Sequence, residues 1–258
     1  GLFEKVILAD QLLAPVADQV YSAWEKVGRL DAWIGTLAFS GQIFFDFAGY
    51  STCAIGAALC LGFVLQDNFH FPYAAIGFSD FWRRWHISLS TWLRDYLYIS
   101  LGGNRQGTVQ IYRNLMLTML IGGLWHGAAW RFVIWGGLHG VYLIVERLLG
   151  AMWGHRPIFE KAFIRVLLAL LTYLCVCVTW VFFRAPDFHS ACAILRAMVT
   201  GDQHPSLLNG EAMGTVLVVT LLLLGGQWLF RDVSLEHIVG RLPWWIRSLV
   251  LAGVLLAL

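Results

Sequence analysis

Long apolar runs separated by short polar interruptions dominate the chain, the pattern of helices that cross lipid. Residues 166–183 and 213–230, and a run that opens at Trp244 and is still apolar at Leu258, approach the roughly 20 residues needed to span hydrocarbon. Residues 33–65 are apolar throughout except for Asp46 and the glycines Gly41, Gly49 and Gly56. That length exceeds one ordinary span and predicts two helices or a broken one. Residues 2–24 are amphipathic, with Glu4, Lys5, Asp10 and Asp18 spread along them, and predict an interfacial helix or the end of an earlier span.

A loop is predicted at Asn68-Phe-His-Phe-Pro-Tyr73, where Pro72 cannot continue a helix and biases Phe71 towards extended backbone. Ser79 is placed to cap a helix starting at Asp80. Over residues 80–99 a helical wheel gathers Asp80, Arg83, Arg84, Ser88, Thr91, Arg94 and Asp95 on one face. Trp82, Trp85, Leu89, Trp92, Leu93 and Tyr96 gather on the other, with His86 at the edge of the apolar face. One helix lying along the interface or plugged into the protein is predicted, with Asp80 and Arg84 paired at i and i+4. Gly102-Gly-Asn-Arg-Gln-Gly107 is an exposed turn without the spacing of a phosphate loop.

Residues 115–145 form a further apolar stretch that carries His126, Arg131 and His139. Gly123 with Gly127, and Gly136 with Gly140, have the small-x-x-x-small spacing that lets helix backbones approach closely in lipid. The basic positions that follow, Arg147, Arg156, Lys161 and Arg165, predict a cytoplasmic loop.

Composition agrees with the pattern. Hydrophobic residues are 59% and charged residues 13%, against about 25% charge in a soluble domain. Mean hydropathy is +0.67. These values point to a polytopic integral membrane protein. The start at Gly1 and the end inside an apolar run suggest a fragment of a longer protein. Thirteen tryptophans suit the bilayer–water boundary. A net charge of +2 carries little information about partners, and no nucleic-acid partner is expected. Cys53, Cys60, Cys175, Cys177 and Cys192 lack C-x-x-C spacing and read as small packing residues, with neither a disulfide framework nor a metal site expected.

Histidine takes and returns protons near neutral pH, so a histidine inside an apolar run is a candidate for chemistry. Two readings are open for His126: a core residue bonded to a backbone carbonyl, or a base lining a polar passage. Asp46, His86, Arg83, Arg84, Asn114, Arg131 and His139 supply further polar groups for such a passage. On one uninterrupted helix His139 would stand about 220° from His126, so it reads as structural. Arg83 and Arg84 are either interface cations or the binding site for the phosphate of an anionic donor such as coenzyme A or phosphopantetheine. Asp46 pairs with an arginine or points into the passage. With neither a G-x-S-x-G elbow nor a cysteine beside a histidine, a covalent acyl-enzyme is not expected. A transporter or channel would use the same polar residue types, and a scaffold that only recruits partners is a third reading.

Five motifs occur in order: Phe45-Asp-Phe-Ala-Gly-Tyr-Ser51, Asn68-Phe-His-Phe-Pro-Tyr73, the run from Phe81-Trp-Arg-Arg-Trp-His86 to Tyr98, Leu101-Gly-Gly-Asn-Arg105 and Gly123-Leu-Trp-His-Gly127. Together they resemble the membrane-bound O-acyltransferase family, in its bacterial polysaccharide O-acetylation branch, over roughly residues 1–150. The resemblance implies an all-α fold, one membrane domain over residues 1–258, in which membrane helices form a ring around a thin central region pierced by a tunnel. It implies that His126 is the catalytic residue and that His86 is associated with the same active site. Thr52 and Ser100 depart from the branch's pattern, where an acidic residue and a proline often stand. Also implied are transfer of an acyl group, most simply acetyl, from a thioester of coenzyme A or an acyl carrier protein to a hydroxyl, with D-alanyl transfer as the variant within the family. No tightly bound cofactor, extracytoplasmic acetyltransferase partners and a multi-pass location in the bacterial inner membrane complete the expectation.

Overall fold

A computed structural model describes residues 1–154, 157–200, 205–233 and 239–258, and every regular element in them is helical. A wide, π-type helix over Glu4–Leu13 runs directly into an α-helix over Ala14–Ser22, together α1. Then come α2 (Arg29–Cys60), α3 (Phe78–Arg84) and α4 (Ile87–Trp92), the last continuing as a wide turn over Leu93–Tyr98. The remainder are α5 (Thr108–Trp125), α6 (Trp130–Trp153), α7 (Ala162–Arg184), α8 (Phe188–Thr200), α9 (Gly210–Phe230) and α10 (Trp244–Ala257). Among the described residues α2, α6, α7 and α9 are long and apolar enough to cross a membrane.

The expected break within residues 33–65 does not occur, because α2 is one helix of 32 residues. At 1.5 Å per residue it is about 48 Å long, well beyond the ~30 Å hydrocarbon layer. Its glycines admit a neighbour instead of ending the helix: a Cβ on Gly35 would meet the Val20 side chain at 2.5 Å, and one on Gly41 the Leu13 side chain at 2.7 Å. α1 thus lies antiparallel along α2, burying Ala9, Leu13, Val16, Ala17, Val20 and Tyr21. It packs along α2, a helix long and apolar enough to cross a membrane. Lys5 bridges Asp46 at 2.6 Å and Asp10 at 2.9 Å. Asp46 therefore pairs with a lysine of α1, not with an arginine.

The single amphipathic helix predicted over residues 80–99 is broken at Trp85–His86. Trp85 is extended and His86 left-handed, with φ 44° and ψ 57°. A wheel cannot see the cause, which is the loop from Asn68 pairing with the broken segment: His70 N–H donates to Arg84 O at 2.9 Å, and Ile87 N–H to Asn68 O at 3.0 Å. Phe71 is also left-handed, φ 50° and ψ 57°, against the extended backbone expected before proline. The turn that begins at Pro72 is held from both sides, Tyr73 N–H donating to Gln227 Oε1 at 2.7 Å and Tyr73 OH to Ser40 O at 2.6 Å.

Ser79 does not cap α3. The helix starts at Phe78, and the amides of Phe78 and Ser79 donate to Glu146 Oε2 of α6 at 2.6 and 2.9 Å. Asp80 and Arg84 do pair, at 2.9 Å. Replacing Glu146 by alanine leaves two amides without their acceptor and is expected to lower stability by about 1–3 kcal/mol, read as a lower Tm in detergent.

Residues 115–145 divide into α5 and α6, joined by a tight turn at 126–129. The two helices touch backbone to backbone: a Cβ on Gly123 would lie 2.2 Å from Phe132 O, and one on Gly136 would lie 2.2 Å from Met119 O. The predicted close approach is thus made across the hairpin, Gly123 facing Gly136. Arg147 near the end of α6 and Lys161 and Arg165 at the start of α7 flank the α6–α7 connection. Arg156 of the predicted basic loop lies outside the described residues. All five cysteines are free.

Candidate active site

The helix breaks converge on one cavity of about 290 Å3. α2 contributes Ile43 and Phe47, the α3–α4 break contributes Trp82, Trp85, His86 and Leu89, and the α5–α6 turn contributes Trp125 and His126. Trp135 of α6 and Trp180 and Phe183 of α7 close it. The walls are aromatic and aliphatic apart from the two imidazoles, so both sequence-predicted histidines face one apolar space. Trp82 also borders a second cavity of about 260 Å3, which Arg94 and Arg147 line as well.

His126 terminates α5 rather than sitting within a helix, and its N–H bonds Gly123 O at 3.0 Å. Gly127 follows at φ 152°, and a Cβ there would meet the Phe132 ring at 2.8 Å. A glycine is thus required for the chain to turn directly after the histidine. The imidazole stands edge-on to Trp125, Trp135 and Phe183, with centroids 5.0, 5.2 and 5.2 Å away. Its ring nitrogens make no hydrogen bond to the described residues, which departs from the core reading in which a carbonyl holds the ring. The ring is half-buried and free to engage a reactant.

His86 has a different setting. Its ring stands edge-on to Phe47 at 4.6 Å, and Nδ1 lies 3.2 Å from Asn68 Oδ1 and 3.4 Å from Ser88 Oγ. The left-handed backbone that presents it is uncommon for a residue with a Cβ and is the kind of strain that clusters at functional sites. His86 lies between α3 and α4, outside the four spanning helices. Burial and the neighbouring His126 hold its imidazole below the ordinary histidine range, at about 4. It is therefore neutral across physiological pH.

The other polar groups of the expected passage lie elsewhere. His139 is fully buried, its Nε2 3.0 Å from Thr179 Oγ1, as its structural reading anticipated. Asn114 is buried and donates to Leu101 O and Gly103 O, clamping the glycine-rich turn. Arg131 donates to the backbone oxygens of Phe183 and Ala185, capping the end of α7. Arg84 is committed to Asp80, His70 O and Arg231 O, while Arg83 is exposed and among the described residues donates only to Ser79 O. Asp46 pairs with Lys5, as above, and does not line the histidine cavity. Sequence reasoning missed the wall residues Phe47, Trp135, Trp180 and Phe183. Their usable signal is the i, i+3 spacing of Trp180 and Phe183 on α7.

The profile of the membrane-bound O-acyltransferase family matches residues 6–186, which include the breaks, the cavity and both histidines. A protein of Azotobacter vinelandii described as "Probable alginate O-acetylase AlgI" is 49% identical over 224 residues, 86% of this chain and 43% of that protein. A peptidoglycan O-acetyltransferase of Helicobacter pylori is 45% identical over 200 residues, 77% of this chain and 37% of the other. A teichoic acid D-alanyltransferase of Bacillus subtilis is 30% identical over 162 residues, 58% of this chain and 40% of the other. The chain thus spans less than half the length of the curated relatives it matches. With the family profile laid over the same helices that build the histidine cavity, the chain belongs to the membrane-bound O-acyltransferase family.

Proposed function

We propose that this chain forms the catalytic part of a membrane O-acyltransferase that moves an acyl group, acetyl in the first instance, from a thioester to a hydroxyl acceptor, for O-acetylation of an exported polysaccharide such as alginate. The observation that carries this reading is the pair of imidazoles in one apolar cavity, with the ring nitrogens of His126 left without partners among the described residues. The names of the relatives, which include an alginate and a peptidoglycan O-acetylase, favour acetyl over D-alanyl transfer.

In this reading the acceptor oxygen attacks the thioester carbonyl carbon. His126 takes the hydroxyl proton as the O–C bond forms. The C–S bond then breaks, and the thiolate leaves with the proton that His126 returns. The aromatic walls exclude water, which would otherwise hydrolyse the thioester. No nucleophilic side chain is required, and His126 alternates as base and acid. The donor is coenzyme A or an acyl carrier protein, either of which brings a phosphate. Of the two arginines, Arg83 is exposed and makes no ion pair among the described residues, so it is the one placed to meet that phosphate, whereas Arg84 is held within the protein. The protein acts in the bacterial inner membrane, and extracytoplasmic acetyltransferases receive its product.

Incubating the purified protein with a thioester labelled in its acyl group tests the proposal against a transport function. Label appearing in an ester of the hydroxyl acceptor supports transfer. Label that crosses a proteoliposome membrane with its thioester bond intact would mean a transporter, and the assignment would fall.

A further inference from the structure

Asn68 lies in the loop between α2 and α3, and the mechanism above gives it no task. Its carboxamide nevertheless converges on His86. Oδ1 accepts from the backbone N–H of Ser88 at 3.2 Å and from Ser88 Oγ at 2.9 Å, and it lies 3.2 Å from His86 Nδ1. Nδ2 donates to Ser51 Oγ at 3.3 Å. A backbone N–H can only donate, so the atom facing Ser88 is the carboxamide oxygen and the amide orientation is fixed. An oxygen that only accepts then stands opposite Nδ1, an arrangement that favours the ring proton on that nitrogen. The Ser88 hydroxyl spends its hydrogen on the same oxygen and cannot donate to Nδ1 at the same time.

The backbone reinforces this arrangement. Ile87 N–H donates to Asn68 O at 3.0 Å, tying the loop to the left-handed residue whose ring it orients. Phe47, edge-on at 4.6 Å, fixes the plane of that ring. Nε2, on the edge away from Asn68, makes no hydrogen bond to the described residues, and His86 lines the cavity.

We propose that Asn68 is a positioning residue that locks His86 in the Nδ1–H tautomer, so that Nε2 faces the cavity as an acceptor unable to donate. The tautomer rests on geometry alone, whereas its consequence for catalysis rests on the acyl-transfer reading. There, His86 accepts a hydrogen bond from the acceptor hydroxyl or from protonated His126. The carbonyl oxygen that gains negative charge must find its donors elsewhere.

The test is nitrogen-15 NMR of the full protein in nanodiscs, labelled at histidine, with His86 assigned by the signal lost in His86→Gln. The expected result is a protonated Nδ1 in the wild type, which Asn68→Ala converts to Nε2–H. In the transfer assay Asn68→Ala is expected to lower kcat by about 10–100-fold with little change in KM. Asn68→Asp, which keeps an acceptor oxygen, restores most of that loss. Nε2–H at His86 in the wild type overturns the proposal, as does an unchanged Nδ1–H in Asn68→Ala. If Asn68→Ala does not fold, the wild-type tautomer decides. Full activity in His126→Ala would instead overturn the acyl-transfer reading while leaving the tautomer as measured.

Discussion

Replacing His126 by alanine is expected to cut acyl transfer by about 10²–10⁴-fold, the contribution typical of a positioned general base. The protein should still fold. The ring sits just past the end of α5, it is half-buried, and no described residue relies on it for a hydrogen bond. Its removal therefore leaves no buried polar group unsatisfied, the usual source of a large stability loss. The aromatic walls lose some packing, so a small fall in Tm is expected beside the large fall in turnover. Rate and melting curve measured on the same detergent preparation check both halves. A variant that stays folded and keeps its rate means that the proton leaves by another route.

The second large effect is on the fold. Gly123→Ala and Gly136→Ala each place a methyl group about 2.2 Å from a backbone oxygen of the facing helix. A side chain can rotate away from such a contact, but a helix backbone cannot. α5 and α6 must separate, and overpacking of this kind typically costs about 1–3 kcal/mol and occasionally more. Separation also shifts the turn that carries His126 and the helix that carries Trp135, so activity and stability should fall together. Gly225→Ala is the control, because nothing lies within 4 Å of the methyl group it would add. Thermal melts and size-exclusion profiles of the three variants check this, and a Gly123→Ala protein as stable as Gly225→Ala would contradict the packing described.

Much of the architecture was legible in the chain because lipid makes apolar length a direct signal. Residues 166–183 and 213–230 became α7 and α9 with ends extended by a few positions. Periodicity failed where a distant backbone supplied hydrogen bonds. The wheel over residues 80–99 assumes one helix, yet the loop at Asn68 pairs with the segment and breaks it at His86, leaving Trp92 and Tyr96 of the predicted apolar face exposed. Glycine was ambiguous for a related reason. Gly41 and Gly49 read as possible breaks in residues 33–65, whereas the closeness of α1 makes them contact points within one helix.

For the candidate site, the motifs singled out His86 and His126, and the fold brings both to one cavity. Polarity in an apolar run was a poorer guide to the rest. Asn114, Arg131 and Arg84 satisfy backbone carbonyls or a half-buried carboxylate, and spacing alone does not separate a clamp from a passage lining. Asn68 was hidden for the opposite reason. It sits in a loop, where an asparagine attracts no notice, and its effect depends on which of its atoms faces Ser88.

The most direct test of the central claim follows both halves of the transferred group in one experiment. A thioester labelled in the acyl carbonyl is given to wild-type and His126→Ala protein with a hydroxyl acceptor, and free thiol and labelled ester are counted together. The expected result is equal release of thiol and formation of ester by the wild type, with both nearly abolished in the folded variant. Thiol and ester produced by the folded variant at the wild-type rate would contradict the assignment of His126 as the base.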